Sequence, residues 1–96
     1  MYVLTGTYKK SAEEVSQQTE AHVEWVKKYF KDGTFIAAGP KKDKNGGVIL
    51  AKGIDRKALD AILSEDSFVK SDVADYTIVE FDCKLAKEGL EELQTA

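Results

Sequence analysis

The chain is poor in the residues that most often announce chemistry: it has one cysteine, one histidine, one proline and one tryptophan among 96 residues. A single cysteine, Cys83, has no partner for an internal disulfide, which agrees with a reducing compartment. One histidine and one cysteine also supply too few nitrogen and sulfur donors for a zinc site built by this chain alone. Gly-x-Ser-x-Gly is missing, as are a glycine-rich phosphate loop and any flavin or nicotinamide fingerprint. Neither a metal nor a cofactor is therefore expected. No stretch approaches the roughly 18 apolar residues of a membrane span, and Met1-Tyr2-Val3-Leu4-Thr5-Gly6 lacks the basic opening of a secretion signal. The expectation is a cytoplasmic protein with no membrane partner.

An excess of positive charge is missing too. The 14 basic residues are interleaved with 17 acidic ones, for a net charge of −3. There is no basic stripe to track phosphates, and the aromatic residues fall in apolar runs instead of along a cationic groove, so nucleic acid is not an expected partner. What the chain does have is 43% hydrophobic and 32% charged side chains, enough for one small domain and no second core. Chains of this size bury roughly 60–70% of their unfolded surface, so a self-associating face would add stability.

Tyr2 to Tyr8 is aromatic and β-branched and reads as a first strand. Ser11 with Glu14 has the form of a capping box and Gly33 is a natural stop, which places a helix over about residues 12–32. At 100° per residue Val15, Thr19, His22, Val23, Val26, Tyr29 and Phe30 share one face, with Trp25 at its edge. Thr34 to Ala38 is a second strand ended by Gly39-Pro40. A polar turn follows, with Asn45-Gly46 at the positions that tolerate positive φ, and then a third strand, Gly47 to Ala51. Asp55 caps a second helix whose buried stripe is Ala58, Leu59, Ile62 and Leu63. Ser64 to Asp72 reads as a polar connection, and Tyr76 to Phe81 as the last strand.

The order βαββαβ is the ferredoxin-like α+β arrangement, an antiparallel sheet with both helices on one face. Strands two and three are continuous apolar runs, which suits burial on both sides, and the free sheet face is expected to pack on a second copy. This gives a domain over residues 1–83 and a tail over 84–96, helical across Leu85 to Leu93.

His22 is the best pointer to chemistry. It lies in the middle of an apolar stripe, where an imidazole has two readings: a general acid or base oriented by a carboxylate such as Asp66, or a core histidine hydrogen-bonded to a backbone carbonyl or a tyrosine. Asp66 has two readings as well, as that orienting acid or as a cap on the turn after the second helix. Gly39 and Pro40 either line a pocket mouth or simply end a strand. Tyr8 and Phe68 either stack on an aromatic ligand or belong to the core.

These features, in this order, resemble the YciI-like (YCII-related) family: a short apolar first strand, His22 in the first helix, Gly33 followed six residues later by Gly39-Pro40, a Gly-containing turn, a short helix and Asp66-Ser67-Phe68, similar to the family's Asp-Pro-aromatic segment. The resemblance covers roughly residues 1–82. It implies the dimeric α/β-barrel arrangement of ferredoxin-like domains, and a homodimer with a pocket between the first helix and the sheet. It also implies a helix histidine paired with an acidic residue as the catalytic pair. One relative removes chloride from a chlorinated hydroxyhydroquinone, and the wider set of dimeric barrels includes muconolactone isomerases and small monooxygenases. Where relatives often carry an acid or amide just after the first strand, this chain has Tyr8-Lys9-Lys10, which leaves Asp66 as the acid in line for His22. The resulting expectation is a cofactor-independent lyase or isomerase that moves a proton on a small, aromatic or anionic molecule, with His22 and Asp66 as catalytic residues and Tyr8, Gly39, Pro40 and Phe68 in the substrate pocket. The alternative is a homodimeric module that binds a small ligand without turnover or serves only structure.

Overall fold

Tyr2, Leu4 and Gly6 turn one way from the first strand and Val3, Thr5 and Thr7 the other. Burial follows the alternation, the first set being buried and the second half-buried or exposed. In the computed structural model, which describes residues 1–95, this strand (β1, Tyr2–Tyr8) leads into a 20-residue helix (α1, Ala12–Lys31). A strand pair follows (β2, Phe35–Pro40; β3, Gly46–Ala51), then a second helix (α2, Arg56–Ser64), a one-turn helix (α3, Ser67–Lys70) and the last strand (β4, Ala74–Glu80). All strand pairs are antiparallel and the order across the sheet is β2-β3-β1-β4, the ferredoxin-like α+β topology.

The register arranges the helix-facing residues in rows. Phe35, Ala51, Tyr2 and Glu80 form one row, and Ala38, Ile49, Leu4 and Ile78 the next. A bulge at Ile36 lets both Phe35 and Ala38 face inward. From the other side Trp25, Tyr29, Leu59 and Leu63 close over these rows in a single buried cluster. The third row is Pro40, Gly47, Gly6 and Tyr76. Its two central members have no side chains, so the core stops there and space remains beneath α1.

The caps act as the sequence indicates. Ser11 accepts from the Glu14 amide at 3.2 Å, Asp55 from the Ala58 amide at 2.8 Å, and Gly33 leaves α1 at φ +87°. The buried face of α1 is rotated from the expected one. It runs through Val15, Trp25 and Tyr29, with Gln18 and His22 half-buried, while Thr19 is exposed and Val23 and Phe30 are each 39% exposed. The polar handles decide this: Trp25 Nε1 donates to the Ile62 carbonyl at 2.9 Å and the Tyr29 hydroxyl to Glu65 at 2.7 Å, so the helix turns those side chains inward. Counting apolar residues alone centres the stripe too far toward Val23.

Other expectations shift by smaller amounts. In the β2–β3 loop the left-handed positions are Lys44 and Gly46, not Asn45, because Asp43 accepts from the Asn45 amide at 2.8 Å and sets the turn one residue earlier. The connection after α2 contains α3. The tail departs furthest: instead of a helix over Leu85 to Leu93, only a 3-10 turn at Glu91–Thr95 forms. Gly89 sits at φ +95°, a backbone conformation that interrupts a helix, and Leu85 is 91% exposed. Ala96, the last residue of that tail, lies outside the described residues. Among the described residues no helix is long and apolar enough to cross a membrane.

Candidate functional site

The missing side chains of the third row open a cavity of about 370 Å³ between α1 and the sheet. Its floor is Gly6 with Gly46 and Gly47. Val23 and Val26 form its roof, Ala38, Gly39 and Pro40 one end, and Tyr8, Phe68, Ala74 and Tyr76 the other. Glycine is required here on steric grounds. A Cβ on Gly6 would stand 3.1 Å from the Tyr76 ring, and one on Gly46, at φ +125°, would stand 1.9 Å from the Gly6 carbonyl oxygen.

His22 lies at the inner end. Its Nδ1 is 2.7 Å from Asp66 Oδ1, and Asp66 is fully buried. The same Oδ1 accepts the Phe68 amide at 3.0 Å, and Oδ2 accepts the Tyr76 hydroxyl at 2.8 Å. With a backbone amide and a phenol already donating to it, the Asp66 carboxyl group is placed as the acceptor of the Nδ1 contact, which assigns a neutral imidazole its proton on Nδ1 and its lone pair on Nε2. No protein group among the described residues bonds Nε2, and His22 lines the cavity. The Phe68 ring stacks on the imidazole, 3.9 Å between centroids and 5° between planes, and Tyr8 meets Phe68 edge-on at 5.8 Å. The ring plane of His22 is thus fixed by packing and its axis by Asp66.

Burial, the Asp66 charge and the hydrogen bond to it together push the Tyr76 hydroxyl pKa well above the ordinary tyrosine value, so Tyr76 stays a donor throughout the physiological range. The segment carrying Asp66 is stitched to α1 at every turn: Ser67 Oγ donates to the Gln18 carbonyl at 3.0 Å, His22 pairs with Asp66, Trp25 bonds Ile62, and Tyr29 bonds Glu65. Burial raises the Tyr29 pKa, and the Tyr29 and Lys28 hydrogen bonds lower that of Glu65, which favours this last contact.

All six residues named from the sequence converge on this one place. His22, Tyr8, Gly39, Pro40 and Phe68 line the cavity, and Asp66 stands directly behind His22. Asp66 caps α3 and bonds His22 with the same oxygen. Tyr76, Gly6 and Lys27 were not singled out. The signal for Gly6 was available, since a glycine inside a strand marks a close approach, whereas Tyr76 reads in sequence as any strand aromatic. Among the described residues no three His, Cys, Asp or Glu side chains gather as a metal site.

Comparison with known proteins adds two findings. The model of the YCII-related domain matches residues 1–82. Among solved structures, the chain is similar to 5-chloro-2-hydroxyhydroquinone dehydrochlorinase from Burkholderia phenoliruptrix AC1100 in complex with 2,5-dihydroxybenzoquinone, with a TM-score of 0.64 and 13% identity over 84% of this chain and 93% of that one. At that identity the likeness is one of fold. A search of curated proteins returns no match.

Proposed function

The chain belongs to the family of YCII-related domains, and on that premise we propose that it is a cofactor-independent enzyme in which His22 moves a proton on a small planar molecule held under α1. The observation that carries this reading is the 2.7 Å contact between His22 Nδ1 and the fully buried Asp66, which leaves Nε2 without a protein partner on a residue that lines the cavity. In this role Nε2 takes a proton from the substrate, and Asp66 holds the ring in one tautomer and stabilises the imidazolium that forms. If a leaving group departs from the neighbouring atom the outcome is elimination. If His22 returns the proton to another atom it is isomerisation. The fold's similarity to a dehydrochlorinase favours elimination, loss of a proton and a leaving anion from a hydroxylated ring. Tyr8, Gly39, Pro40 and Phe68 are the walls that hold such a ring, and the cavity volume lies within the range of small-molecule sites.

A homodimer belongs to the same reading. On the sheet face away from the helices Ala37, Leu50, Val3 and Val79 stand in one row, and Val79 is 54% exposed with Phe81 beyond it at 40%. An apolar row of this kind is best covered by its own copy.

Turnover of small hydroxylated and halogenated ring compounds, beginning with 5-chloro-2-hydroxyhydroquinone, tests the chemistry. His22→Asn, whose side-chain amide can still donate to Asp66, is expected to lower kcat/KM by about 10²–10⁴-fold in a protein that remains folded. Equal rates in the two proteins would contradict the proposal.

A further inference from the structure

The cavity's walls are apolar or uncharged except at one point. Among the described residues Lys27 is the only lining residue with a permanent charge, and it stands at the exposed end of the roof, its side chain 71% exposed, five residues beyond His22 on α1. Five residues of helix rise about 7.5 Å, so Lys27 and His22 bracket the wall made by Val23 and Val26. The carboxylate nearest to Lys27 among its ion contacts is Glu24, 4.0 Å away with a side chain 72% exposed, a contact at the limit of pairing that leaves the ammonium available. Asp66, the acid nearest to the cavity, is already committed to three donors.

We infer that Lys27 is the substrate anchor of this cavity and that the ligand is a monoanionic aromatic or quinonoid acid, its anionic substituent at Lys27 and the atom that loses a proton at His22. The apolar walls between the two residues hold the ring faces, and the glycine floor accepts a flat molecule while refusing a branched one. A lysine at a solvent-exposed mouth gives selection by charge more than by depth of burial, because its ammonium stays hydrated when the site is empty. The inference rests on the proton-transfer reading for the direction of the ligand, but the anchor itself is tested by binding alone.

The experiment compares 4-hydroxybenzoate with 4-hydroxybenzamide, an anion and a neutral molecule of the same size and shape. Binding is followed by the NMR signal of the His22 imidazole, which is unambiguous because the chain has one histidine. The expected result is that the anion binds about two- to fivefold more tightly than the amide, the order of one charge contact at an exposed site. That ratio should fall to near one in Lys27→Met and invert in Lys27→Glu. Both ligands should move the His22 signal. A ratio near one in the unaltered protein, a ratio that survives Lys27→Met, or no binding of either compound at millimolar concentration would overturn the proposal. Failure of the proton-transfer reading has a different signature: turnover indifferent to His22→Asn while the anion preference still disappears with Lys27, which supports the anchor and removes only the chemistry.

Discussion

Asp66 shows how one side chain links folding to the site. A fully buried carboxylate is tolerable only with its acceptors filled, and three donors from three elements fill them: His22 on α1, the Phe68 amide of α3 and Tyr76 on β4. Asp66→Ala strands all three donors and is expected to cost about 3 kcal/mol or more in chemical denaturation. Asp66→Asn keeps the shape and is expected to cost about 1–2 kcal/mol, yet lower turnover sharply, because an amide does not hold the imidazole proton on Nδ1 as a carboxylate does. Turnover of Asp66→Asn matching the unaltered protein would remove Asp66 from the chemistry. Tyr76 gives a pH prediction. Its pKa is raised in the folded chain, so its contribution is intact below about pH 10 and is lost at higher pH, as the unfolded chain ionises where the folded one does not. Tyr2 and Tyr29 are raised in the same direction, chiefly by burial. Stability measured from pH 8 to 11 should therefore fall above pH 10, and Tyr76→Phe should make that fall shallower; an unchanged slope would contradict the assignment. His22 and Asp66 were legible because their types are rare on apolar faces and in buried caps. Tyr76 was not, because nothing local distinguishes a strand tyrosine that bonds a carboxylate from one that faces solvent.

At the scale of elements, the cavity is made by what β1 and β3 omit. Rows of Phe35 with Tyr2 and of Ile49 with Leu4 fill the core, and the Gly47–Gly6 pair empties the next position. Gly6→Ala places a methyl group 3.1 Å from the Tyr76 ring and on the cavity floor. The expected cost is about 1–3 kcal/mol of stability, together with weaker ligand binding. Gly39→Ala is the control: a Cβ there meets nothing within 4 Å, and its effect on stability should stay within about 0.5 kcal/mol. Equal effects from the two substitutions would refute the glycine floor. The strand and helix positions were readable from periodicity and caps. The rotation of α1 was not, since it depends on Trp25, Tyr29 and His22 finding partners on the Ile62–Asp66 segment, contacts 36 to 44 residues away along the chain. The helix expected over Leu85 to Leu93 does not form: Gly89 adopts a positive φ in its middle, and Leu85 and Leu90 stay exposed.

The whole molecule has one sheet face covered by its helices and one that is not. Light scattering at micromolar concentration is expected to give twice the monomer mass, and Val79→Glu, which puts a charge in the row of Leu50 and Val3, is expected to give the monomer. A monomeric unaltered protein would sink the account of that face. The topology itself was legible because βαββαβ admits few arrangements once connections are short and crossovers right-handed. The cavity was only partly so, because its residues come from α1, α3 and all four strands and share no local motif. Having a single histidine also allows the whole protein to be read through one resonance. Nitrogen-15 NMR of the neutral imidazole tests the central claim most directly and needs no substrate. The account predicts a proton fixed on Nδ1 and a free lone pair on Nε2, with the Nδ1 proton lost as a distinct signal in Asp66→Ala. An imidazole carrying its proton on Nε2, or exchanging freely between the two nitrogens as a solvated side chain does, would contradict it.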